Sequence, residues 1–265
     1  MDIISKIKEK KELSSLSDSF VNSILSQLKE KNSKLIIKKA RKELRRLYGG
    51  FQIKNAIKKR TDYLKKILIN LQKNKFNLES HKNLLKTHRS TKERLDIYKD
   101  LYKKIFQNNF NSIQDIACGL NPFSLIFLKR LNIKYYAYDL DCQELNLVKE
   151  YFKTIKENFK EFDFEVHPIN LLEEIPKIKT DYCFLFKFFD LLETKKQYKI
   201  AENIIKEINS KYIIASFSTK TLSGKLMNYP NRKWFELMLK RLNFNFKTLK
   251  YENEIFYLVE KIKAC

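Results

Sequence analysis

Residues 112–122 read SIQDIACGLNP, and residues 135–141 read YYAYDLD. In the first stretch a β-forming run ends near Ile116, Gly119 turns the chain, and Asn121-Pro122 opens a helix. Asn121 can cap that helix, and Pro122 suits a first helical position because no N–H is needed there. In the second stretch another short strand ends on Asp139. Ligands in strand–helix folds of this kind bind beyond the carboxyl ends of the strands. The two stretches therefore mark a site.

The glycine count decides which ligand. A dinucleotide loop carries G-x-G-x-x-G so that a pyrophosphate can rest on the helix N-terminus. Here Gly119 stands alone, one of four glycines in 265 residues. That pattern favours a nucleoside without phosphates, and S-adenosylmethionine is the usual one. Asp139, twenty residues after Gly119, is placed to accept hydrogen bonds from both ribose hydroxyls. A plain glycine turn followed by an aspartate capping a helix meets the same spacing.

Outward from this point, strands are expected near 113–117, 134–138, 163–167, 181–186 and 211–216, with helices over 122–131, 142–159, 193–209 and 230–241. Such alternation builds a mostly parallel, twisted sheet. Two more strands, 244–250 and 254–261, are joined by YENE and read as an antiparallel hairpin. Before residue 110 the period is helical instead. Leu35, Ile36, Ala40, Leu44 and Leu47 recur at spacings of one helical face, and Gly49-Gly50 stops that helix. Ser90 to Glu93 has the spacing of a capping box, followed by an apolar stripe through Tyr98 and Ile105.

Charge separates the two halves further. The chain carries 54 basic and 31 acidic residues, a net charge of +23. Residues 31–66 alone hold 14 basic and 2 acidic residues. Cationic side chains this dense on helices suit a polyanion such as RNA; a lysine-rich composition with solvated helix faces is the plainer account. The candidate contacts are Lys38, Lys39, Arg41, Arg45 and Arg46, then Lys58, Lys59, Arg60, Lys65 and Lys66. The four cysteines form no C-x-x-C pair and read as reduced cytoplasmic thiols, with no metal site. The longest apolar run, 182–192, is interrupted by Lys187 and Asp190 and is too short for a bilayer span, and no secretory signal opens the chain.

Six segments in order, HRSTKERLDIYKDLYKKIF, DIACGLNPFSL, YYAYDLD, FLFKFFDLLE, ASFSTKTLSGK and NEIFYLVEK, resemble the Arm/Rmt family of aminoglycoside-resistance 16S rRNA (guanine-N7) methyltransferases. ARKELRRLYGGF resembles that family's helical lobe, and the likeness runs from about residue 17 to 262. It implies a Rossmann-like class I methyltransferase domain with a mostly parallel seven-stranded sheet (α/β), residues 89–265, preceded by an all-helical N-terminal lobe, 1–88, that docks on RNA. It also implies S-adenosylmethionine as cofactor and, as partner, 16S rRNA in the decoding region of the 30S subunit. The enzyme is expected to be a monomer.

The same resemblance assigns residues. Arg94 would pair with the methionine carboxylate, with His88 and Ser90 at that end of the cofactor. Ala117 and Gly119 would give backbone contacts, and Asp139 the ribose contact. The family's adenine-reading Asp is replaced by Asn170, followed by the Leu171 backbone; Phe186 would pack on the adenine, with Gln197 nearby. Phe51 matches an aromatic of the lobe that closes over the cofactor. Lys187 is either an RNA contact or a lysine at the core edge. Guanine N7 has a lone pair and no proton, so no general base is required and no catalytic acid or base is assigned. The segment 216–230, SFSTKTLSGKLMNYP, lacks the family's longer Gly- and Lys-rich stretch. Methylation of a different RNA position, or RNA binding without catalysis, stays open.

Overall fold

Among the described residues seven helices come first, because the early sequence repeats its apolar residues every three or four positions. They are α1 (Ile3–Lys8), α2 (Asp18–Gln27), α3 (Ser33–Leu47), α4 (Ala56–Leu71), α5 (Leu78–Leu85), α6 (Arg89–Arg94) and α7 (Tyr98–Ile105). The computed structural model describes residues 2–30, 32–47, 56–128, 130–171, 173–191, 198–221 and 224–261. Ser17 caps α2 by accepting from the Phe20 N–H, and Asn77 caps α5 by accepting from Ser80. Leu13, Leu16, Phe20, Val21, Ala40 and Leu44 close a small core of their own. By contrast, α4 and α5 send Leu64, Ile67, Leu71, Leu84 and Leu85 into the main core against the sheet.

The sheet runs β1 (Ser112–Ile116), β2 (Lys134–Asp139), β3 (Asp163–Pro168), β4 (Thr180–Phe186), β5 (Ser210–Ser218), β6 (Asn245–Lys250) and β7 (Glu254–Glu260). Their spatial order is β3-β2-β1-β4-β5-β7-β6. The first five are parallel, while β7 pairs antiparallel with both β5 and β6. All seven expected strands are present. The order reverses between β1 and β4, which opens a crevice at their carboxyl ends. Helices α8 (Cys142–Asn158), α9 (Tyr198–Glu207) and α10 (Lys233–Arg241) complete the layers. Alternation along the strands divides the interior: Tyr182, Phe184 and Phe186 face the α4, α5 and α8 side, and Cys183 and Leu185 face α9 and α10.

Two local expectations change. The helix expected over 122–131 is a tight 3-10 turn, Asn121–Phe127. Asn121 is tied inward to Asp115 (Nδ2 to Oδ2, 2.8 Å) and Ser124 donates to the Asn121 carbonyl, so the turn is wound close to the strand end. The capping box at Ser90–Glu93 is not formed either. His88 is the N-cap residue of α6 and makes no side-chain cap bond; Ser90 and Glu93 are engaged by Arg94 and Lys187 instead.

A main-chain seam joins the segment before α2 to the end of β2. Leu16 forms an antiparallel bridge with Asp141. The Ser17 N–H donates to the Leu140 carbonyl (3.3 Å), and the Cys142 N–H to that of Ser15 (3.2 Å). The seam lies immediately after Asp139.

Candidate active site

The loop leaving β1 carries two left-handed residues, Ala117 (φ 56°) and Gly119 (φ 48°). Such a φ strains a residue with a Cβ by the order of 1–2 kcal/mol, so Ala117 is held there by its surroundings. The space at 119 is also tight. A Cβ there would lie 3.2 Å from Oε2 of Glu144 and 3.4 Å from Nε2 of His88. The backbone N–H of Gly119 donates to Asp139 Oδ2 (2.7 Å), and the Asp141 N–H donates to Asp139 Oδ1 (2.9 Å). Asp139 is thus locked across the loop at the end of β2, each oxygen keeping a lone pair for a further donor. Burial, with the Glu144 carboxylate beside it, raises the Asp139 carboxyl above the ordinary Asp value.

Arg94 lies on the other side of the crevice, 1% exposed. Its Nε sits 3.0 Å from both oxygens of Glu254, and Nη2 donates to Ser90 Oγ (2.6 Å). Nη1 reaches Asn121 Oδ1 (3.4 Å), and the guanidinium lies 4.7 Å from the centre of the Phe186 ring. Beneath it, burial raises the Asp115 carboxyl to about 6, while Asn121 and Tyr135 donate to it. His88 is neutral: burial, reinforced by Arg60 and Arg94, lowers its pKa to about 3.

Several expected roles meet a different geometry. Lys187 does not project from mid-strand toward RNA. It follows the end of β4 with φ 56°, is 4% exposed, and its Nζ is bonded to Glu93 and lies 3.6 Å from Glu254. Arg60 is not on the outer surface of the lobe. It is 3% exposed, pairs with Glu144 (2.8 Å) and donates to the hydroxyl and carbonyl of Thr87. Phe186 packs under Arg94 on the α8 side of the sheet, and the Leu171 side chain belongs to the opposite core. Arg41 is drawn toward α1, where it donates to the Lys6 and Ile7 carbonyls. Asn170 is buried beyond β3, beside β2, and its Nδ2 donates to Ser23 Oγ of α2 (3.1 Å). Phe51 and Gln197 lie outside the described residues.

What sequence reasoning missed are the anions. Glu254 binds Arg94 and accepts from Ser216, Glu93 binds Lys187, and Glu144 binds Arg60. The signal was electrostatic: three buried cations must be matched by carboxylates. Glu254 opens the apolar run EIFYLVE, where a carboxylate has no other reason to be.

Such a sheet, with one close-approach glycine, an acid at the end of β2 and a buried arginine across the switch point, defines a Rossmann-like methyltransferase. The chain belongs to the ribosomal RNA methyltransferase (FmrO) family, whose model matches residues 26–258. It is 30% identical over 183 residues to a 16S rRNA (guanine(1405)-N(7))-methyltransferase of Proteus mirabilis, covering 66% of this chain and 63% of that protein. A protein of the same description from Micromonospora echinospora is 28% identical over 181 residues, again covering 66% and 63%. The match therefore spans less than two thirds of these relatives' length. The fold superposes on the 16S rRNA methylase RmtB (TM-score 0.78, 24% identity, 98% of each chain). It also superposes on RmtF in complex with S-adenosyl-L-homocysteine (TM-score 0.79, 23% identity, 99% and 100%).

Proposed function

We propose that this protein is an S-adenosylmethionine-dependent methyltransferase acting on N7 of a guanine in the decoding region of 16S rRNA, within the 30S subunit, and that it works as a cytoplasmic monomer. The observation that carries the reading is the convergence of Gly119, Asp139 and Arg94 around one crevice, with a left-handed backbone at 119 where even a Cβ would be tight. Family membership and the description of the curated relatives support the substrate. Among the described residues no helix is long and apolar enough to cross a membrane.

The residues present fit the cofactor. Arg94 would offer its Nη edge to a carboxylate and Asp139 a carboxylate to ribose hydroxyls, while the Asn170 amide is turned to Ser23 of α2. When bound, the cofactor supplies a methyl group on a sulfonium centre. The protein's own task is to hold guanine N7 in line with that methyl at near-attack distance. N7 has no proton to lose, so no base need be poised there. The product purine gains positive charge, and the site suits this: Arg60, Arg94 and Lys187 are each matched by a glutamate, with Asp139 and Asp141 in addition.

The test is to incubate the protein with 30S subunits and methyl-labelled cofactor, and to map N7-methylguanine along 16S rRNA. One modified guanine in the decoding region is the expected result. Methylation elsewhere would redirect the target assignment to the altered 218–229 segment, where Lys220 bridges Leu226. No methylation, with cofactor bound, would leave an RNA-binding protein.

A further inference from the structure

β5 ends beside the crevice. The Ser216 hydroxyl donates to Glu254, the partner of Arg94, and accepts from the Lys187 N–H (3.0 Å). A hairpin follows directly. Lys220 bridges Leu226, the Met227 N–H donates to the Thr219 carbonyl (2.8 Å), and the Thr221 N–H donates to that of Lys225 (2.8 Å). Its base is clamped on two sides. Buried Arg232 donates to Asp190 Oδ1 (3.1 Å), to the Ser218 carbonyl (3.1 Å) and to the Pro230 carbonyl (2.9 Å), and the Ser218 N–H donates to Asp190 Oδ2 (2.7 Å). Thr219 is bound through its N–H and hydroxyl to the carbonyls of Asn253 and Glu252.

The clamped segment holds two large apolar side chains out in water. Leu226 is 69% exposed and Tyr229 83%, more than any other large apolar side chain among the described residues. Among those residues no ring packs on Tyr229 and no group bonds its hydroxyl. Residues 218–233 also carry Lys220, Lys225, Arg232 and Lys233 and no acid. Arg232 is spent on the clamp and Lys220 holds Glu252 at the surface (2.7 Å), while Lys225 and Lys233 are exposed. An open ring face on an anchored loop with cations and no carboxylate matches a base and its phosphates. An apolar protein partner would have no use for the charges.

The chemistry asks for such a partner. In an A-form helix the edge carrying N7 lies in a deep, narrow major groove that side chains do not enter, so the target guanine must be met where the helix is open. Opening it leaves bases without a stacking neighbour, and an aromatic side chain replaces that neighbour whatever the base. We propose that Tyr229 is a stacking platform for an unstacked base of the substrate RNA, with Lys225 and Lys233 on the adjoining phosphates. The inference rests on the RNA-methylating function proposed above.

The test is equilibrium binding of the full chain to 30S subunits over a salt series. Tyr229→Phe keeps the ring and should bind within about two-fold of the wild type. Tyr229→Ala and Tyr229→Leu lose the π face and should each weaken binding about five-fold or more, one stacked base being worth that much. Stacking releases no counterions, so these two variants should shift the plot of log K against log salt without changing its slope. Lys225→Ala should flatten that slope by about 0.7–0.9. Affinity for S-adenosylhomocysteine, by calorimetry, and the melting temperature should stay at wild-type values in every variant. If Tyr229→Ala binds and methylates 30S subunits like the wild type, the inference is wrong and the functional reading stands. If Tyr229→Leu binds as well as Tyr229→Phe, the side chain docks on an apolar protein surface and the RNA assignment is wrong. If the wild type neither binds nor methylates 30S subunits, both readings fall.

Discussion

Three cations at the carboxyl end of the sheet and a larger set on the outer faces of α3 and α4 are the same residue types in two different solvents. Arg60, Arg94 and Lys187 are each under 5% exposed and each bonded to a glutamate. On the lobe, Arg45–Glu12 (2.8 Å) and Lys39–Glu30 (2.9 Å) are also ion pairs, but at least one partner of each stands about half in water. An exposed pair is worth about 0–1 kcal/mol, and breaking it changes little. Removing one partner of a buried pair strands a charge and costs about 3–5 kcal/mol. Internal pairs can therefore hold a site in one geometry. Surface pairs are loose enough to exchange a carboxylate for a phosphate.

Arg94 should show the largest effect, because it joins both fold and site. Arg94→Met leaves Glu254 with only the more distant Lys187 (3.6 Å) as counter-ion, so a loss toward the lower end of about 3–5 kcal/mol of stability is expected, together with loss of cofactor binding. Adding Glu254→Met removes the stranded charge and should recover most of the melting temperature without recovering binding. Chemical denaturation and calorimetry on the single and double variants separate the two roles. Binding restored in the double variant would show that Arg94 serves only to neutralise Glu254.

Next comes a pair of neighbours. Arg60→Ala strands Glu144 and should cost about 3–5 kcal/mol, while Lys59→Ala, fully on the surface, should stay within about 0.5 kcal/mol. Equal effects in urea titrations would dissolve the distinction between the two regions.

That contrast also shows how far the sequence could be read. The strands were legible because each is a short β-rich run between turns, and Gly119 and Asp139 were legible from spacing alone. Arg60 was not, since KKRTDYLKK looks like one basic patch. Its position does give it away: Ala56, Arg60, Leu64, Ile67 and Leu71 are the buried residues of α4, and Arg60 sits on that stripe. Composition sees the charge; only the period sees the direction. Lys187 was hidden differently, because its left-handed backbone after β4 turns it inward to Glu93 and Glu254, which no strand pattern predicts. The Asn170–Ser23 contact depends on how the lobe folds back over β2 and β3, and nothing local encodes that.

The smallest expected effect concerns RNA docking, and the structure changes where to look for it. On α3, Lys39, Arg45 and Arg46 already hold Glu30, Glu12 and Glu43, and Arg41 is spent on backbone carbonyls. Reversing those charges would set like charges against each other within the lobe and disturb its packing. The lysines of α4 are a cleaner trial, because Lys58, Lys59, Lys65 and Lys66 are all exposed on the face away from the core. Each lysine that contacts a phosphate releases counterions, so each removal should flatten the dependence of log K on log salt by about 0.7–0.9. Binding should weaken modestly and by a similar factor for any RNA, since phosphate contacts carry no sequence information. Cofactor affinity and melting temperature should not move, because none of the four side chains lines the crevice. The measurement is 30S binding across a salt series for each single lysine-to-alanine variant and for all four together. A slope unchanged in the quadruple variant would remove α4 from the docking surface and leave its charge as solvation alone.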